Sequence, residues 1–258
     1  MYFIDVQGTL IDDLYKQPIR GACEFIDYLN LHHLPYMVIT NNTKRRSNDF
    51  LSYLNEIGLN IPSEHYLDPL MILELRLPKE KVAAYGSEPF LRILETEGYT
   101  LDYEDPKNVL IGIKEDFTAD EYAQMINFLL QGSQLIGMHE TTLYAKNSKR
   151  YPGVGAILKM LEFATSASYD VVGKPSQLFY DEALSLLQKQ NVNARFKEIT
   201  IISDDVKGDL GGAKELGMKT VFVLSGKYSH VGEILPMLNG AEQPDLVYRD
   251  IHEMMEEL

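Results

Sequence analysis

Short apolar runs and helix-period segments alternate along almost the whole chain, and this alternation restricts the fold more than any other feature. Residues 2–5 form a short apolar strand. Ala22, Phe25, Ile26 and Leu29 then recur at helical spacing, and "YMVITNN" (36–42) reads as a buried strand. Phe50, Leu51, Leu54 and Ile57 mark a second helix, ended by Gly58. Further on, "EITIIS" (198–203) is a strand, 209–217 a helix closed by Gly217, "KTVFVLSG" (219–226) a strand and 250–258 a last helix. Strands that alternate with helices pair in parallel through right-handed crossovers, so the expected class is α/β with a doubly wound parallel sheet.

The middle of the chain is a βα region of its own. "KVAAYGS" (81–87) leads into a helix that Ser87 is placed to cap, and "NVLIGIK" (108–114) is followed by "TADEYAQMINFLL". There Thr118 and Glu121 have capping-box spacing. "YPGVGAILKMLEFA" (151–164) reads as a helix started by glycine. The expected organisation is a core domain from 1–69 plus 173–258, with a smaller α/β domain inserted at 70–172.

Composition removes several classes of function. A net charge of −14 argues against a nucleic-acid partner, because phosphate backbones are held mainly by clustered Lys and Arg. One cysteine, Cys23, excludes an intramolecular disulfide and fits a reducing compartment. No apolar run approaches the ~18 residues of a membrane span, and the first residues lack the basic start and apolar stretch of a signal peptide. The expected location is cytoplasmic.

Four features stand where strands end, which is where open α/β sheets bind ligands. They are Asp5 after "MYFI", Thr40-Asn41-Asn42 ending "YMVITNN", Lys174 in "DVVGKPS", and "ISDDVKGD" with Asp204, Asp205 and Asp209. Each alone has a plainer reading as a turn former, a helix start or a solvated lysine. Converging on one sheet end, they would bring together carboxylates, a hydroxyl, backbone N–H groups and one ammonium. Clustered carboxylates call for a hard cation such as Mg²⁺. The other groups are what phosphoryl transfer needs, since it rests on positioning and charge neutralisation.

The order "FIDVQGTL", "VITNNT", "VVGKPS", "IISDDVKGD" resembles the four motifs of the haloacid dehalogenase superfamily of phosphohydrolases, whose core is Rossmann-like. The insert looks like a type C2 cap, and "YPGVGAI" with "VVGKPSQLFYDEAL" is similar to the NagD-like subgroup. The resemblance implies that Asp5 is a nucleophile and metal ligand, forming an aspartyl-phosphate. It implies that Thr40 and the Asn41 backbone hold the phosphoryl oxygens and that Lys174 pairs with phosphate and Asp5. Asp204 and the main-chain carbonyl of Gln7 would ligate Mg²⁺. Asp209, with Asp205 as a further candidate, would hold metal-bound water or orient Lys174. Tyr144, Lys146 and Asn147 lie where the subgroup selects its substrate, a small phosphorylated metabolite. Cap-mediated dimers would fit the same resemblance. Ser203 stands where many members have glycine.

Gln7 departs from the pattern. Family phosphatases carry an acid there, which protonates the leaving oxygen and then activates water. Glutamine can hydrogen-bond but cannot exchange a proton at useful pH. Three readings stay open: a slowed or atypical phosphatase, one with a substitute acid on the nearby Asp12-Asp13 segment, and a catalytically silent phosphate- or metabolite-binding protein.

Overall fold

A computed structural model describes residues 1–146 and 149–257. The first stretch of the chain runs β1 (Tyr2–Ile4), α1 (Ala22–Leu31), β2 (Tyr36–Ile39), α2 (Ser47–Glu56), β3 (Tyr66–Leu67) and α3 (Pro69–Arg76). The inserted region runs β4 (Lys81–Tyr85), α4 (Glu88–Thr96), β5 (Thr100–Leu101), β6 (Asn108–Ile111), α5 (Ala119–Leu130), β7 (Gln134–Gly137), β8 (Leu143–Lys146), β9 (Lys149–Pro152), α6 (Val154–Thr165) and β10 (Tyr169–Val171). The chain then returns through α7 (Gln177–Gln190), β11 (Thr200–Ser203), α8 (Asp209–Glu215), β12 (Lys219–Val223), β13 (Leu246–Tyr248) and α9 (Ile251–Met255).

A six-stranded parallel sheet has the order β13-β12-β11-β1-β2-β3. From β1 the chain moves outward one way to β2 and β3, then returns to build β11, β12 and β13 on the other side. The direction reverses beside β1, and such a switch point opens a crevice at the carboxyl ends of the strands. A second parallel sheet, β10-β7-β6-β4-β5, is built wholly from the insertion. A hairpin of β8 and β9 stands apart from both sheets.

Strand periodicity decides which helices cover which face. Phe3, Met37, Ile39, Ile201 and Phe222 pack with Phe179, Tyr180 and Leu187 of α7 and Leu210 of α8. Their neighbours Ile4, Val38, Ile202 and Val221 point the other way, onto Phe25 and Ile26 of α1, Leu54 of α2 and Ile251 of α9. The second sheet follows the same rule. Ala83, Tyr85, Val109 and Leu135 pack on α5 and α6, whereas Val82, Ala84, Leu110 and Ile136 join the first cluster through Ile72, Leu73, Phe90 and Leu94. One buried cluster therefore runs continuously between the two sheets.

Several local expectations need correction. Residues 149–152 are strand β9, paired with 143–146, so the helix read from 151 begins at Val154. Ser87 occupies the N-cap of α4, but its hydroxyl makes no cap bond and has no partner. Thr118 and Glu121 do form the reciprocal capping box, with bonds of 3.1 and 2.8 Å. Among the described residues no helix is long and apolar enough to cross a membrane.

Candidate active site

The loops that leave β1, β2, β10, β11 and β12 meet in one cavity of about 260 Å³. Asp5 follows β1, and its N–H donates to the Ile202 carbonyl at 2.9 Å, which anchors it to the neighbouring strand. Next comes a turn in which Gly8 has φ 75°, a left-handed conformation that glycine adopts without strain. A Cβ on Gly8 would lie 2.2 Å from Asp204 Oδ2, and one on Gly226 would lie 2.0 Å from the same oxygen. Two glycines from opposite ends of the core thus make the slot that receives Asp204.

Lys174 is 1% exposed, and its ammonium is fully used. Nζ donates to Asp5 Oδ1 at 2.5 Å, Asp209 Oδ2 at 2.6 Å and the Ile39 carbonyl at 3.3 Å. Asp209 Oδ2 also accepts from Ser203 Oγ at 2.8 Å, and that hydroxyl accepts the Asp205 N–H at 3.1 Å. Ser203 is therefore a working link in the network. Asp209 is thus in direct contact with Lys174.

Asn41 acts through its side chain. Its Oδ1 accepts the Lys174 N–H at 2.9 Å, while its Nδ2 donates to the Lys174 carbonyl at 3.2 Å. The same carbonyl accepts the Glu140 N–H from the inserted domain at 3.1 Å. Thr40 Oγ1 donates to Gln7 Oε1 at 3.1 Å and accepts the Asn42 N–H at 3.2 Å. Gln7 thus sits against the threonine expected to hold a phosphoryl oxygen.

Two residues without an assigned role in the sequence reading belong to this cavity. Lys227 follows β12; its side chain pairs with Asp205 and its N–H donates to Asp204 Oδ2 at 2.7 Å. Its position after a strand end was the available signal. His139, two residues beyond β7, is buried and lines the cavity with Thr141, Leu143 and Tyr144. Lys146 is described only in its backbone, as the end of β8, and Asn147 lies outside the described residues.

Burial governs the charges. It pushes Asp5 up to about 6 despite the opposing Lys174. It lifts Asp204 well above the usual carboxylate range, against Lys227 and with the like charge of Asp5 adding to the rise. Asp205 is buried too, but Lys227, the Gly208 N–H and Lys174 together hold it below its ordinary value. Burial, with Lys227 and Lys174 beside it, lowers His139 to about 3. Outside the cavity wall, Asp12 accepts N–H groups from Leu14, Tyr15 and Gln17 at 2.8, 2.5 and 2.9 Å. Those bonds overcome its partial burial and keep it ionised.

The residues fit a divalent cation. Among the described residues no three acidic, histidine or cysteine side chains close into a cage. Asp5, Gln7 and Asp204 line one cavity, where two carboxylates and the Gln7 carbonyl would suit a hard ion that keeps several waters. Burial raises both Asp5 and Asp204, and the charge of Asp5 adds to the rise at Asp204, which supplies the electrostatic reason for one.

Comparison with known proteins agrees with this arrangement. Residues 2–100 match the family model of haloacid dehalogenase-like hydrolases, and 171–254 match a second model of HAD-hydrolase-like proteins. The phospholysine phosphohistidine inorganic pyrophosphate phosphatase of Xenopus laevis is 30% identical over 234 residues, covering 87% of this chain and 83% of that protein. The p-nitrophenyl phosphatase from Archaeoglobus fulgidus superposes with a TM-score of 0.83 at 23% identity, covering 100% and 98% of the two chains. NagD from E. coli K-12 superposes with a TM-score of 0.76 at 24% identity, covering 98% and 96%. Sequence and fold together place the chain among the haloacid dehalogenase-like hydrolases, with the NagD type of architecture.

Proposed function

We propose that the protein hydrolyses a small phosphomonoester through an aspartyl-phosphate on Asp5, with Mg²⁺ as its cation. The observation that carries this reading is the buried Lys174 ammonium bonded to both Asp5 and Asp209 at the switch point of the sheet. Lys174 favours the ionised, nucleophilic form of Asp5 and offers positive charge to the incoming phosphoryl group. The Thr40 hydroxyl and the Asn41 N–H hold the transferring oxygens. Asp5, Asp204 and the Gln7 carbonyl would hold Mg²⁺, which when bound offsets phosphate charge. The Lys227 N–H donates to Asp204, and the Lys227 side chain pairs with Asp205. The inserted domain places His139, Thr141, Leu143 and Tyr144 on the cavity wall, and a cavity of about 260 Å³ favours a small metabolite over a phosphoprotein.

Gln7 slows this reaction. General acid–base catalysis is typically worth about 10²–10⁴ in rate, or roughly 3–5.5 kcal/mol of barrier. The test is phosphate release in Mg²⁺ from an aryl and an alkyl phosphate, with Asp5→Asn as the blank. The wild type is expected to exceed the blank on the aryl ester and to approach it on the alkyl ester. No excess on either ester would overturn the catalytic reading and leave a phosphate-binding protein. Mg²⁺ should also raise the melting temperature of the wild type, because a ligand that binds only the folded state stabilises it. Asp204→Asn should abolish that rise, and an unchanged rise would remove Asp204 from the cation site.

A further inference from the structure

Hydrolysis through Asp5 needs two proton transfers, and the substrate can relieve only one of them. In the first step an Asp5 oxygen bonds to phosphorus as the ester P–O bond breaks. The leaving oxygen departs with the bonding pair and needs a proton only if it is a poor anion. In the second step water bonds to phosphorus and the Asp5–phosphate bond breaks, returning the carboxylate with its electron pair. The proton of that water must go to a base, and the attacking group is always water.

Among the described residues no other side chain on or beside the cavity wall is arranged to replace the missing base: Asp204 accepts the Lys227 N–H, Asp205 is paired with Lys227 and Asp209 with Lys174. Gln7 has no basic atom at ordinary pH and is hydrogen-bonded to Thr40. Lys174 and Lys227 are ammonium groups held in buried ion pairs, without a free lone pair. Asp12 is engaged by three backbone N–H groups of its own turn. Asp13 reaches the cavity mouth but is paired with Lys16 at 3.3 Å on an exposed turn. His139 accepts the Thr141 N–H on Nδ1 at 3.4 Å, so its other ring nitrogen carries the proton.

We infer that dephosphorylation of Asp5 limits turnover, so that the chain accumulates as a covalent aspartyl-phosphate, and that its productive substrates are those whose leaving group needs no proton from the protein. Aryl phosphates, acyl phosphates and phosphoric anhydrides form that class. This rests on the phosphatase reading above and adds which step is slow and which substrates pass the first one.

The experiment is rapid acid quench in Mg²⁺ with two aryl phosphates of different leaving-group acidity, read by intact mass and by released phenol. The expected result is a burst near one equivalent of phenol per chain, matched by one phosphoryl group on the protein, and the same kcat for both esters. Asp5→Asn should show neither. Gln7→Asp should drain the covalent form about 10²–10⁴-fold faster, the usual worth of a positioned base. The inference is overturned, with the phosphatase reading intact, if the wild type turns over without a burst and kcat follows leaving-group acidity. If the covalent form then appears only in Asp13→Asn, the base is Asp13. Both readings fall together if the wild type matches Asp5→Asn in labelling and turnover. The wild-type burst decides the question even if Gln7→Asp does not fold.

Discussion

Asp68 shows at a single residue how this protein tolerates buried charge away from the active site. It caps α3 by accepting from Leu70 and Met71, and it also accepts from Ser47 Oγ at 2.8 Å and Tyr66 Oη at 2.7 Å. Burial still outweighs these donors and raises it to about 6. An acid whose folded value is raised contributes stability that is complete below its unfolded value of about 4 and is lost as pH rises through the folded one. The wild type should therefore lose stability relative to Asp68→Asn between about pH 4 and pH 7, by at most about 3 kcal/mol. Chemical denaturation of both proteins across that range checks it, and a constant difference would show that Asp68 titrates normally when folded. Its Ser47 donor lies 21 residues away in sequence, and only the folded chain brings it to Asp68.

Between elements, a tight junction lies at Gly173, where the chain returns from the inserted region. A Cβ there would meet Asn41 Oδ1 at 2.5 Å, Pro69 Cγ at 2.6 Å and the Met138 carbonyl at 2.7 Å. A backbone carbonyl and a proline ring cannot move aside cheaply, so Gly173→Ala should cost about 1–3 kcal/mol by overpacking. It should also lower kcat more than it raises KM, because the displaced Asn41 amide holds Lys174. Melting temperature and steady-state kinetics test this, and an unchanged melt with unchanged kcat would show that the junction yields. α1 was legible from its apolar spacing and the start of α5 from its capping-box spacing. β3, β5 and β13 are two or three residues long and carry too little pattern to be read alone. The strand-end motifs disclosed Asp5, Thr40, Lys174 and Asp204 as candidates, because each follows an apolar run. The role of the Asn41 side chain depends on a loop 133 residues away meeting it in space, as when Asn41 grips Lys174, and that of Lys227 on the Asp204–Asp205 loop 22 and 23 residues before it.

For the molecule as a whole, the continuous cluster between the sheets predicts that the core and the insertion unfold together. Phe90 sits within it, and its ring fills the space left by Gly86 and Gly112, where a Cβ would come within 2.4 and 2.7 Å. Phe90→Ala should lower stability by about 3–5 kcal/mol and shift one cooperative transition without splitting it. Two separated transitions in calorimetry would show instead that the insertion melts on its own. The pairing of β1 with both β2 and β11 has a further consequence for synthesis. On the ribosome Asp5 emerges about 200 residues before Asp204, an interval on the order of 10–40 s at typical translation rates. The insertion, contiguous from 81 to 171, can pair its own strands during that wait. The early strands of the core then stand with an open edge beside β1 until β11 arrives, and the nascent chain spends that time with its nucleophile made and its catalytic site unbuilt.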